Sequence, residues 1–176
     1  MNMKCRMIAL GMLIVAALTG LGAASMAAPA PAVQKLLPGN NDVAGFKIVA
    51  KTLTYGKGVD VSKVYNGGYE LYTKNGVVDV VKQMYQRESE YAEVTVHTMK
   101  STKAALDFVN YWAKQRETKS AAIAGIGTGF SVTKPSVMSY YAMGKYFVTV
   151  SAYYPAEKSV KETAAFATAV KKRIKA

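Results

Sequence analysis

The sequence predicts an α+β fold, a two-layer sandwich in which an antiparallel sheet of about five to six strands is covered by two to three helices. About half of the 176 residues are apolar (51%), which is enough to build a core and excludes an intrinsically disordered chain. Several segments alternate apolar and polar residues and are joined by short turns, as in antiparallel strands with one buried face. Other segments repeat apolar residues at helical spacing.

Residues 1–27 have the features of a secretory signal peptide. Lys4 and Arg6 precede an apolar stretch, and Ser25-Met26-Ala27 is a suitable cleavage motif. A cut after Ala27 would also remove Cys5, the one cysteine, and leave a mature chain without a thiol. We therefore expect a periplasmic or secreted protein, with an uncleaved membrane anchor as the alternative.

The rest of the chain reads as one domain behind a short arm. Residues 28–35 are rich in Ala and Pro, which predicts a flexible, extended arm. No long linker or change in composition follows, so residues 36–176 are predicted to form a single α+β domain.

Four segments are predicted to be helical. Ser101 is a suitable N-cap for the clearest of them. Ser159 and Glu162 have the spacing of a capping box for the C-terminal helix, with an inner face of Val160, Ala164, Ala167, Val170 and Ile174. A helix capped by Asp60 is predicted to end at Asn75-Gly76, although Gly67-Gly68 inside it leaves a turn at Asn66-Gly67 as the alternative. The weakest is a short helix near Val33 to Leu37.

Six segments are predicted to be strands. They are Phe46 to Tyr55, Val77 to Arg87, Tyr91 to Met99, Phe130 to Val132, Ser136 to Ala142 and Tyr146 to Tyr154. Within the third, Ala92, Val94 and Val96 fall on one face, and His97 shares the other face with Glu93 and Thr95. Met143-Gly144-Lys145 is the predicted hairpin turn between the last two strands.

An ordered set of short motifs carries a resemblance across most of the mature chain. The most specific is Asn66-Gly67-Gly68-Tyr69-Glu70-Leu71-Tyr72, and Gly125-Ile126-Gly127 and Met143 to Val148 are among the others. In these motifs the chain resembles a family of exported bacterial proteins classed as a domain of unknown function. The resemblance implies export and a single mixed α/β domain, and it transfers no catalytic or binding residue.

The usual catalytic and metal-binding patterns receive little support. Gly125, Gly127 and Gly129 are spaced like a nucleotide-binding loop, but an Ala-rich stretch precedes them and a strand follows, so a hairpin or strand-entry loop is favoured. One His and one Cys do not make a zinc site, and His97 beside Glu93 favours surface pairing over acid–base chemistry. We predict no catalytic residue, no metal and no cofactor, and the question of enzymatic activity stays open.

Tyrosine content and charge give the candidate function. Twelve Tyr residues and a net charge of +12 suit a surface that contacts a ligand through aromatic rings and Lys. The candidate binding residues lie on and just after the last hairpin: Tyr140, Tyr141, Lys145, Tyr146, Tyr153 and Tyr154. The favoured function is a non-catalytic module of the bacterial cell envelope that binds a ligand or an envelope protein, as a monomer or weak dimer.

Two other functions remain open. One is a small envelope hydrolase that uses carboxylates such as Glu90 and Glu93. The other is a basic, surface-associated structural protein held by an anionic polymer or a membrane surface; without residues 1–27 the chain still has 21 basic and 11 acidic residues, a net charge of +10. Export argues against nucleic acid as a partner.

Overall fold

An eight-stranded antiparallel sheet forms the centre of the structure. The computed structural model describes residues 30–65 and 67–175. The strands are β1 (Lys47–Ile48), β2 (Thr54–Lys57), β3 (Val77–Arg87), β4 (Glu90–Met99), β5 (Ala121–Ile123), β6 (Gly127–Val132), β7 (Val137–Met143) and β8 (Tyr146–Ala152). The helices are α1 (Tyr69–Lys74), α2 (Thr102–Gln115) and α3 (Ala156–Lys175), and 3-10 helices cover Ala32–Leu36 and Gly58–Lys63. The strand order is β1-β3-β4-β8-β7-β6-β5, with β2 also paired to β3.

The α+β class and the antiparallel sheet are confirmed, and the sheet has more strands than expected. The predicted strand Phe46 to Tyr55 is two short strands, because the chain turns at Lys51, whose φ is +62°. The Thr52 hydroxyl donates to the carbonyl of Val49 within this turn (2.8 Å). The sequence reasoning also missed β5, an edge strand of three residues.

Helices pack on both faces of the sheet, so the predicted two layers become three over its centre. The helix α3 and the strands bury one cluster, in which Tyr141, Val148, Val150, Phe166, Ala167 and Val170 meet. The helix α2 buries a second cluster on the opposite face, which contains Phe108, Val109, Phe130, Tyr140 and Phe147. Neighbouring residues of a strand point to opposite faces, and almost every residue of β7 and β8 is buried on whichever face it lies. One helical layer could therefore not bury them.

The two long helices begin differently. The Ser101 side chain accepts a hydrogen bond from the Ala104 N–H (3.0 Å), which confirms the predicted cap of α2. The capping box at Ser159 is wrong, because α3 already begins at Ala156, after a proline whose carbonyl accepts from the Ser159 N–H (3.1 Å). The buried face of α3 therefore differs from the predicted one near the start of the helix. Ala167 and Val170 are buried as predicted, whereas Val160 is exposed.

The helix predicted from Asp60 is broken into two short pieces. Gly67 and Gly68 have φ values of +88° and +69°, a backbone conformation that no α-helix contains. The N–H of Gly67 donates to the carbonyl of Tyr65 (3.0 Å), which fits the alternative prediction of a turn, although Asn66 itself lies outside the described residues. The end of the helix near Asn75-Gly76 is confirmed.

The N-terminal predictions fall partly outside the described residues. The predicted signal peptide, residues 1–27, and the first two residues of the predicted arm lie there. The predicted start of the domain at residue 36 falls inside the 3-10 helix Ala32–Leu36, and Val33 is buried in the core against α3. None of the helices in residues 30–65 and 67–175 is both long and apolar enough to cross a bilayer.

The glycine string forms a hairpin and a close strand contact, as favoured from the sequence. Gly125 lies in the turn between β5 and β6 with a φ of +74°. A Cβ atom on Gly129 would lie 2.3 Å from the carbonyl oxygen of Tyr140 on the neighbouring strand. Close backbone approach therefore requires glycine at this position.

Candidate functional site

The six candidate binding residues do not share one surface. Tyr140 and Tyr141 are both buried, one under α2 and the other under α3. Tyr154 donates to a carboxylate oxygen of Glu162 on α3 (2.6 Å). Tyr146 is half-buried on the α3 side, with the Lys145 ammonium 5.7 Å from its ring centre. Tyr153, which is 54% exposed, lies on the α2 side.

An aromatic cluster fills the space under α2 and surrounds the single histidine. Its members are Tyr65, Tyr72, His97, Phe108, Trp112, Phe130, Tyr140 and Phe147. The rings of Tyr65 and Tyr72, which flank and end the motif that carries the resemblance, stack 3.8 Å apart and cover His97. The motif thus supplies the cover of a buried histidine.

His97 is completely buried, so the predicted surface pairing is wrong. Its Nδ1 lies 2.8 Å from the carbonyl oxygen of Phe147, which can only accept, so Nδ1 carries the proton. Nε2 then accepts a hydrogen bond from the Tyr65 hydroxyl. Burial lowers the pKa of His97 to about 4 and raises the pKa of Tyr72 to about 12. Both groups are therefore neutral near pH 7.

A polar strip continues the same sheet face beyond the aromatic cluster. We define it as Lys82, Glu93, Thr95, Thr149 and Ser151. Lys82, Thr95 and Thr149 are direct neighbours on β3, β4 and β8, and Glu93 and Ser151 are neighbours in the next row. Thr95, Thr149 and Ser151 form a floor that is less than a tenth exposed. The side chain of Ser151 is also hydrogen-bonded to that of Tyr153.

The two charges of the polar strip compensate each other. The Lys82 ammonium lies 3.6 Å from the Glu93 carboxylate, and the two side chains are 28% and 22% exposed. The same ammonium donates to the carbonyl of Val64 (3.2 Å), which ties the segment before α1 to the sheet. The strip is therefore neutral overall, on a chain whose net charge is strongly positive.

An aromatic platform closes the outer end of the polar strip. Met84, Tyr91 and Tyr153 line a shallow, wholly apolar depression of about 360 Å³. The N–H of Tyr153 donates to the carbonyl of Tyr91 (3.0 Å), which fixes the backbone of Tyr153 beside β4. Burial and the nearby Glu93 carboxylate raise the pKa of Tyr153, so its hydroxyl stays protonated and can donate at neutral pH.

The carboxylates considered for hydrolysis are not brought together. Glu93 belongs to the polar strip on the α2 side, whereas Glu90 lies on the α3 side, where it bonds to Arg87 (2.6 Å) and Lys158 (2.7 Å). Hydrogen bonds from Lys158 and Arg87 lower the pKa of Glu90, which suits a permanent ion pair and not a general acid. Within the part of the chain that the structure describes, no three His, Cys, Asp or Glu side chains are placed to hold a metal ion.

The sequence predicted the part of the site that lies on β4 and missed the part that lies on β8. It placed Glu93, Thr95 and His97 on the same face of β4, which the register confirms. It missed Thr149 and Ser151, because pairing of β4 with β8 joins segments about fifty residues apart in the chain. An available signal was the alternation of Thr149, Ser151 and Tyr153 along one strand.

Comparison with known proteins identifies a fold and no family. No protein family and no curated protein matches the chain. The fold is similar to that of the extracellular domain of PknH from Mycobacterium tuberculosis, with a TM-score of 0.52 and 12% sequence identity. The match covers 80% of this chain and 95% of that domain. At this identity the likeness concerns the fold alone.

Proposed function

We propose that the chain is an exported, non-catalytic domain of the bacterial cell envelope that binds its ligand on the α2 side of the sheet. The observation that carries the proposal is the polar strip, a floor of hydroxyl-bearing side chains that ends at the exposed ring of Tyr153. A few placed polar groups beside an apolar contact surface are the usual composition of a ligand site.

Several features support export and binding. The N-terminal sequence has the order of charged, apolar and small residues found in secretory signals. An extracellular domain of another protein has a similar fold. Tyr153 was a candidate binding residue from the sequence, and more than half of its surface is free to contact a ligand.

The two alternative functions have weaker support. A carboxylate hydrolase needs two carboxyl groups on either side of one bond, and Glu90 and Glu93 lie on opposite faces of β4. Electrostatic retention on an anionic polymer needs only the net charge, which the chain has. That alternative makes a different prediction, because screening by salt should abolish it.

The test is retention on insoluble envelope material. The chain from residue 28 onward is incubated with purified envelope fragments in low salt and in about 0.5 M NaCl, where the Debye length is only about 4 Å. Tyr153→Ala removes the exposed ring of the site, and Tyr146→Ala removes a half-buried ring on the opposite face as a control. Circular dichroism checks that both variants fold.

The proposal expects retention that survives the higher salt, falls at least tenfold in Tyr153→Ala and is unchanged in Tyr146→Ala. Retention that disappears with salt in every variant would favour the electrostatic alternative. Salt-resistant retention that is equal in the two tyrosine variants would place the binding surface elsewhere and contradict the proposal.

A further inference from the structure

We infer that the ligand of the polar strip is an uncharged oligosaccharide, an inference that rests on the proposed function. A sugar ring presents hydroxyl groups that both donate and accept, and it has faces made of C–H groups. The strip and its platform offer matching partners for each of these features.

The floor of the strip offers hydroxyl groups in a regular array. Thr95 and Thr149 are direct neighbours on adjacent strands, and Ser151 lies in the next row. Each hydroxyl can donate one hydrogen bond and accept others, which suits partners of the same kind. These side chains are short and held by the sheet, so a ligand that contacts them would immobilise little side-chain entropy.

The charged pair adds one strong acceptor and one strong donor without a net charge. The Glu93 carboxylate and the Lys82 ammonium lie 3.6 Å apart, and both retain some exposure. A charged ligand group would lose hydration and compete with this pair for one of its partners. A neutral ligand can bond to both groups and leave the pair intact, so the strip selects against anions although the chain is basic.

The platform supplies the apolar contact at the end of the strip. Tyr153 is 54% exposed and adjoins Tyr91 and Met84. An exposed tyrosine ring covers an apolar face at low cost in side-chain entropy and keeps a hydroxyl for hydrogen bonding. From β3 to β8 the strip spans about 10 Å at the usual strand spacing, which leaves room for more than one sugar ring.

The experiment uses an array of neutral oligosaccharides in about 0.5 M NaCl, where exposed charges are screened. The array contains oligomers of glucose, mannose, galactose and N-acetylglucosamine. Tyr153→Ala tests the platform and Glu93→Gln tests the charged pair. Asp107→Asn, which changes an exposed carboxylate on α2, is the charge-matched control for the second variant.

The inference expects binding to at least one neutral oligosaccharide that falls tenfold or more in Tyr153→Ala and severalfold in Glu93→Gln, with no change in Asp107→Asn. It is overturned if no oligosaccharide on the array binds, or if the two site variants bind as well as the control.

A parallel arm separates this inference from the proposed function. The same envelope material is treated with protease or with glycan-cleaving enzymes before the retention assay. If protease destroys the Tyr153-dependent retention, the proposed binding function stands but the partner is a protein. That result overturns the inference of an oligosaccharide ligand. Retention that survives protease and is lost on glycan cleavage supports it.

Discussion

Acidification should destabilise this fold through one residue. His97 is fully buried, uncharged and bonded to two neutral groups, the carbonyl of Phe147 and the hydroxyl of Tyr65. The pKa of His97 is about 4 in the folded chain and close to 6.5 when the chain is unfolded. Between these values only the unfolded chain takes up the proton, so the stability supplied by neutral His97 is complete above pH 6.5 and declines as the pH falls toward 4.

The magnitude follows from the two pKa values. Lowering the pH from 7.5 to 5.0 should reduce the free energy of unfolding by about 2 kcal/mol, and the total by pH 4 approaches about 3 kcal/mol. The tyrosines that face the ring, Tyr65 and Tyr72, do not contribute, because burial raises the pKa of each. Since the chain has a single histidine, no other side chain of this type titrates in the window.

The assay is urea unfolding of the chain from residue 28 onward, followed by circular dichroism at several pH values from 7.5 to 5.0 and at constant salt. His97→Asn is the matched variant, because its amide can still donate to the carbonyl of Phe147 but does not titrate in this range. The variant should be less stable at pH 7.5 and nearly independent of pH down to 5.0. Equal pH slopes in both proteins would refute the burial of neutral His97.

Three further substitutions test separate parts of the fold by the same unfolding assay at pH 7.5. Ser101→Ala removes the cap of α2 and should lower the free energy of unfolding by about 1 kcal/mol. The control Ser136→Ala changes an exposed serine outside the helices and should alter this free energy by less than about 0.5 kcal/mol, so equal effects would count against the cap. Gly129→Ala should lower the free energy of unfolding by about 1 to 3 kcal/mol, because the new Cβ atom would meet the Tyr140 carbonyl. Gly39→Ala is the control and should be tolerated, because a Cβ atom there meets its neighbours only at ordinary van der Waals distances. A Gly129→Ala variant as stable as the original chain would disprove the close approach of β6 and β7. Tyr85→Phe removes a buried hydrogen bond to the Pro38 carbonyl (2.9 Å) and should lower the free energy of unfolding by about 1 to 2 kcal/mol. Tyr153→Phe changes an exposed tyrosine and should leave the free energy of unfolding almost unchanged. Equal effects of the two substitutions would show that the Tyr85 hydrogen bond is not formed.

Local patterns predicted local structure well. The strand from Val77 to Arg87 has the predicted bounds, and the alternation along β4 gave the correct face for each residue from Ala92 to His97. Ser101 was identified as a cap because its partner lies only three residues away. In each case the interaction that fixes the structure lies within a few residues along the chain.

Long-range contacts explain the errors. His97 was expected at the surface, since nothing in β4 shows that Tyr65 and Tyr72 fold over it from another segment. Tyr140 and Tyr141 were grouped in one surface by composition, although adjacent residues of a strand point to opposite faces. The polar strip depends on the pairing of β4 with β8, which the topology of the whole sheet determines.

The most direct measurement is amide chemical-shift mapping of the isotope-labelled chain titrated with soluble envelope glycan fragments. Ligand binding at the polar strip predicts shifts concentrated at Lys82 to Met84, Tyr91 to Thr95 and Thr149 to Tyr153, with little change along α3. Shifts concentrated on α3 and the opposite face of the sheet would contradict the account, as would a spectrum that does not change at all.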